Sequence, residues 1–230
     1  MAESNVMLLG TWASPFVLRV KIALRLKSVN YEYHEENLPE SKSDLLLKSN
    51  PVYKKVPVLI HGHNPICESL IIFEYIDEVW TTSASSILPS DAYERAQSRF
   101  WAAYFSTALR RVLFGTTEED KRAAMAEVSE GILLLEEAFV KLSKGRAFFG
   151  GENIGFVDIV FGSLLAWIEV IEKLSEMKLI SEAKTPRLVQ WADFFSAHEA
   201  VKDVSPAVDK LVEFALKLGA RVLKATAPTN

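Results

Sequence analysis

Strand-like patterning stops at Cys67, and everything after it reads as helix. This switch constrains the fold more than any other feature: a small sheet must form first, and an all-helical body must follow. Val6–Leu9 is a short apolar run, and Tyr31–Glu35 alternates with a period of two. Between them Phe16, Val17, Val20 and Leu24 recur at helical spacing. Strand, helix, strand in that order predicts a parallel pair with a crossover. Ser41 or Ser43 can cap a short helix carrying Leu45, Leu46 and Leu47, which Asn50-Pro51 ends. Val56–Ile60 is a strand with Pro57 near its start, residues 61–64 form a turn, and Pro65–Cys67 returns antiparallel. Ser69 is the N-cap candidate for a helix through Asp77.

Beyond the small polar run Thr81–Ser86, only helical signals remain. Arg95–Leu113 is long and amphipathic, with Phe100, Trp101 and Tyr104 in its apolar stripe. Thr117 opens a second helix reaching Leu142, and Phe156–Ile171 reads as one buried helix. Pro186 and Pro206 begin two more. Asp158 is out of place in the buried helix unless it sits in its first turn and reaches back to the N–H of Gly155.

Composition narrows the function. A formal charge of −4, with no cluster of Lys and Arg among aromatics, argues against a nucleic-acid partner. A single cysteine excludes an internal disulfide framework and fits a reducing compartment. The first residues lack a leader pattern, and Ile159–Ile168 is too short to span a bilayer, so a soluble cytoplasmic protein is expected, with no membrane partner. His61 and His63 share a turn with Gly62 and Asn64, without partners at ligand spacing, so no metal is expected.

The chemistry concentrates at Leu9–Phe16. Ser14-Pro15 places a hydroxyl at an N-cap and a proline at N1, where the first strand meets the first helix. Such a point favours an anion, a thiolate included. Ser14 either only caps its helix or also faces a bound anion. Lys42 and Lys55 flank the same end of the sheet.

The order βαβαββα resembles a thioredoxin-like domain, and the whole chain resembles the plant tau-class cytosolic glutathione transferases. The motifs are Trp12–Phe16, Leu46–Val52, Lys54–Leu59, Pro65–Ile72 and Glu74–Asp77 in the first half, then Arg99–Ala102, Phe149–Gly151 and Gly155–Ile159. The resemblance implies an α/β plus all-α fold: a thioredoxin-like glutathione-binding domain over residues 1–82, a linker over 83–91, and an all-helical acceptor-binding domain over 92–230. It implies a structural cis-Pro57 that exposes the backbone of Val56 to an extended peptide. It implies that Ser14 is the catalytic hydroxyl facing the glutathione sulfur, that Val56 pairs with the cysteinyl unit, that Glu68 and Ser69 hold the γ-glutamyl end, and that Lys42 and Lys55 hold the glycyl carboxylate. Glutathione is then a co-substrate, no cofactor stays bound, and a homodimer is expected, with Glu74, Asp77 and Glu78 on one helix facing Arg95 and Arg99 on another. Asp158 is read as structural.

The implied activity is conjugation of the thiolate to hydrophobic electrophiles, with hydroperoxide reduction as a side activity. A free thiol has a pKa near ~8.5, and lowering it by ~2 units corresponds to roughly 2.7 kcal/mol of preferential thiolate stabilisation. The acceptor lining is expected from Trp12 and Phe16, from Tyr104, Thr107, Ala108 and Arg111 on one face of the long helix, and from Trp167. Ala103 stands where many relatives carry an aspartate, and Phe105–Leu109 lacks their usual charges. That departure motivates the alternative, a non-catalytic carrier of apolar compounds or glutathione conjugates. Disulfide exchange is disfavoured because Ser14 has no thiol.

Overall fold

The computed structural model describes residues 5–38, 40–81, 86–114 and 117–226; within them, side chains at 105–111, 113–114, 118 and 219–226 are left aside. Four strands form one sheet in the order β2-β1-β3-β4, from β1 (Val6–Gly10), β2 (Glu32–Glu35), β3 (Val58–His61) and β4 (Asn64–Cys67). β1 and β2 are parallel, joined by α1 (Pro15–Leu26), while β1–β3 and β3–β4 are antiparallel. The period of two sorts the side chains. Leu9 and Val58 meet Leu46 of α2 (Asp44–Ser49) on one face, whereas Leu8 and Leu59 join the main core with α1 and α3 (Ser69–Val79). Ser43, not Ser41, caps α2, accepting the N–H of Leu46 at 3.0 Å.

The helical half comprises α4 (Ala92–Phe114), α5 (Glu118–Ser143), α6 (Phe156–Gly162), α7 (Leu165–Ser175), α8 (Pro186–Ala197), α9 (Glu199–Lys202) and α10 (Val208–Thr226). Phe100 is exposed rather than part of the α4 core stripe, and the short α9, capped by His198, carries no pattern that sequence reading detects. The expected single helix over Phe156–Ile171 is two. It breaks at Ser163–Leu164, where Ser163 Oγ donates to Val160 O at 2.9 Å and accepts from Arg19 Nε at 3.2 Å. A Cβ at Gly162 would lie 2.3 Å from Phe195, so the glycine permits the close approach of α8.

Asp158 sits where expected. Its carboxylate accepts the N–H of Gly155 at 2.8 Å, and also those of Phe149, Gly150 and the Trp191 indole. Trp191 stacks on Phe161 and Phe195, making this carboxylate the polar centre of an aromatic core. Burial lifts its pKa to about 6 in spite of those four donors.

The two halves join through a second buried carboxylate. Asp77 of α3 pairs with Lys27 at 2.7 Å and accepts the N–H groups of Ile87 and Leu88. It therefore faces inward and is not available to the expected dimer surface. Of the other charges assigned to that surface, Arg99 pairs with Glu74 of the same chain at 2.7 Å, and Arg95 donates to the carbonyls of Pro89 and Ser90.

Candidate active site

The end of β1 lies beside the start of β3, and a cleft of about 1060 Å³ opens there. Ser14, Lys42, Lys55, Val56, Glu68 and Ser69, six residues spread over more than fifty positions, all line it. The Val56–Pro57 peptide bond is cis, and both residues contribute to the wall.

Ser14 caps α1 as its sequence predicts, and it lines the cleft as well. Its Oγ accepts the N–H of Val17 at 3.3 Å. That bond uses a lone pair and leaves the hydroxyl proton to donate elsewhere, so capping and anion binding are compatible. Ser69 repeats the arrangement. Its Oγ accepts from the Arg19 guanidinium at 3.3 Å, leaving its own proton for a ligand.

Ser69 is not the N-cap of α3 but its first residue. The cap position belongs to Glu68, whose φ of 71° lies in the left-handed region. Such a conformation costs a non-glycine residue about 1–3 kcal/mol and concentrates at ligand sites. It aims the first turn of α3, with its unpaired N–H groups, at the cleft.

Arg19 is the site residue that sequence reading missed. The helical pattern places it between apolar positions of α1. In the fold α6 covers it: Arg19 is 1 % exposed, with Nε on Ser163 and a second nitrogen 3.5 Å from Val160 O. Burial brings its pKa down to about 9, which still leaves it charged at neutral pH. It stands behind both Ser69 and Phe16, 4.9 Å over the phenyl ring.

The expected acceptor residues divide. Phe16 and Trp167 line the cleft; Phe214 and Leu218 of α10 join them unforeseen. Trp12 stands outside that lining, edge-on to Phe214 at 5.6 Å. Tyr104 turns toward α5, where a Cβ on Gly131 would touch its ring at 2.7 Å, and it does not reach the cleft. The reason is the winding of α4, which presents that position to α5. The side chains of Thr107, Ala108 and Arg111 fall outside the described residues. His61 donates to or accepts from Tyr75 Oη at 2.8 Å and lies against Trp80, a cluster outside the cleft lining.

Comparison with known proteins fits this geometry. The glutathione S-transferase N-terminal domain family matches residues 4–78, and the glutathione S-transferase C-terminal domain family matches residues 74–198. The chain therefore belongs to the glutathione S-transferase family and is a glutathione transferase. Its relatives place it in the tau class. It is 54% identical over 227 residues to glutathione S-transferase U16 of Arabidopsis thaliana, covering 97% of each chain. The crystal structure of the tau class glutathione S-transferase of mango, Mangifera indica, is 56% identical and superposes with a TM-score of 0.87, covering 94% of this chain and 100% of that one. Rice GST1, solved in complex with glutathione, is 35% identical with a TM-score of 0.82, covering 95% of this chain and 99% of that one.

Proposed function

We propose that the cleft binds glutathione in an extended form and transfers its thiolate to hydrophobic electrophiles, with hydroperoxides as secondary acceptors. Ser14 donates its free proton to the sulfur, and the N-terminus of α1 adds its dipole. The Val56 backbone pairs with the cysteinyl unit, Glu68 and Ser69 hold the γ-glutamyl end, and Lys42 and Lys55 hold the glycyl carboxylate. The acceptor lies against Phe16, Trp167, Phe214 and Leu218, with Thr107, Ala108 and Arg111 of α4 as further candidates.

The observation that carries this reading is the convergence of those six polar positions on one cleft whose other wall is aromatic and aliphatic. Retention on immobilised glutathione followed by a conjugation assay with several model electrophiles tests it. Retention with turnover is expected; tight retention with no turnover on any acceptor would establish the carrier instead.

Two coarser readings accompany it. Among the described residues no helix is long and apolar enough to cross a membrane, and the lone cysteine fits a reducing, cytoplasmic setting. A homodimer is supported by apolar side chains left outside on α4, Tyr93 and Phe100. Sedimentation at micromolar concentration tests it, and a monomer there overturns it.

A further inference from the structure

The turn that presents Ser14 is held from outside itself at three points. Gly10 O accepts the N–H of Glu36 at 2.7 Å. The N–H of Trp12 donates to Glu35 Oε1 at 2.9 Å. Ala13 O accepts the indole N–H of Trp167 at 2.8 Å, from α7 of the helical half. The turn's own contribution is one bond, from Ser14 N to Thr11 O at 3.1 Å.

We infer that Trp167 and Glu35 are positioning residues for Ser14, clamping the catalytic turn from opposite domains so that its hydroxyl points at the sulfur. Ala13 O lies in the peptide plane that runs on to Ser14 Cα, so fixing that oxygen, with the Ser14 backbone held at the start of α1, constrains the direction in which the Ser14 side chain leaves the chain. The cap bond of Ser14 is long at 3.3 Å and does not by itself fix the hydroxyl. Neither clamp residue is free to swing. Trp167 is 5% exposed and packs with Ala13, Val170, Leu211 and Phe214. The second oxygen of Glu35 accepts the Tyr33 hydroxyl at 2.7 Å, and the Tyr33 ring lies under the Lys21 ammonium. Trp167 also lines the cleft, so the ring that meets the acceptor is the ring that holds the turn.

This inference rests on the proposed role of Ser14, and the experiment separates the two. The pKa of the bound glutathione thiol is read from its ultraviolet thiolate absorbance, beside kcat and the glutathione dissociation constant. Trp167→Phe keeps the ring and loses the N–H; Glu35→Ala, at an exposed position, loses the acceptor. Each is expected to raise the bound-thiol pKa and lower kcat about tenfold, the scale on which small misplacements act. Glutathione affinity should stay within about twofold, as expected for groups that act through Ser14 rather than on the ligand. Glu35→Gln, which keeps an acceptor oxygen for Trp12, should restore most of the loss. In a Ser14→Ala background, Trp167→Phe should move the thiol pKa no further, since the two act through one group. If Ser14→Ala leaves the thiol pKa unchanged, the reading of Ser14 fails and the clamp with it. If Ser14→Ala raises it but Trp167→Phe and Glu35→Ala do not, the clamp alone is overturned. Equal losses from Trp167→Phe with and without Ser14 also overturn it.

Discussion

The two walls of the cleft are built by different rules. On the thioredoxin-like side, the polar groups stand at strand ends, helix starts and the peptide before Pro57, so backbone geometry sets their directions. On the helical side, Trp167, Phe214 and Leu218 arrive from helices far apart in the chain, and only packing brings them together. The contrast teaches that one wall can recognise a fixed peptide while the other is re-shaped by ordinary substitutions. Backbone N–H groups survive a change of side chain, but an apolar surface is the sum of its side chains.

Several substitutions test whether the division holds. Ser14→Ala should leave glutathione binding nearly intact and lower turnover by ~10–1000-fold, the range for losing one donor to a developing or resident charge. Steady-state kinetics with glutathione saturating measures it, and equal rates would remove Ser14 from the chemistry. Asp158→Ala strands three backbone N–H groups and an indole N–H in the aromatic core, at a cost of roughly 3 kcal/mol in stability. The denaturant midpoint should fall while kcat per folded molecule stays put; a lost kcat at full stability would contradict a structural role.

Smaller effects separate the walls more finely. Phe214→Ala should raise the KM for bulky apolar acceptors about 5–20-fold, equivalent to part of one buried aromatic side chain. The glutathione KM should not move. Lys55→Ala should do the reverse, weakening glutathione about fivefold, the scale of one exposed ion pair, with acceptor constants unchanged. Crossed effects in either variant would show that the walls are not independent.

The smallest effect concerns acid. Burial alone would raise the Asp77 carboxyl, but the N–H groups of Ile87 and Leu88, Lys27 and the Ser86 hydroxyl outweigh it and hold its pKa below the ordinary value of 3.8. A depressed folded pKa contributes stability that is present above that ordinary value and is lost as the pH falls through the folded one. Asp77→Asn should therefore cost most near neutrality, and its deficit should shrink below about pH 4. Asp158 has the opposite sign: with its folded pKa at about 6, its linked contribution is present below 3.8 and lost as the pH rises through 6. Urea melts across this range distinguish the two; a deficit in Asp77→Asn that is flat with pH would dissociate that carboxylate from acid stability.

Much of the first half was legible because its signals are local. Ser14-Pro15, Ser43 and the turn at Gly62-His63 each announce a cap or a reversal within a few residues, and the alternation over Tyr31–Glu35 marks β2 without outside help. Even there Ser69 was displaced by one position. Nothing in Glu68-Ser69 signals that a glutamate will adopt φ of 71°, a conformation that only the surrounding fold enforces.

The sequence by itself determined the order of the four strands and the first three helices, the split between a sheet-bearing half and a helical half, and the caps at Ser14 and Thr117. These follow from propensities acting over a few residues. Only the tertiary structure decided which charged residues were inside. Arg19 and Asp77 look like surface charges at helical spacing, yet they are buried by α6 and by the segment before α4, where hydrogen bonds offset their desolvation. It also decided that Tyr104 serves α5, that the helix after Phe156 breaks at Ser163, and that Trp167 reaches across 154 residues to Ala13. Such pairings carry no local signal, because they depend on how whole faces dock rather than on any stretch of chain.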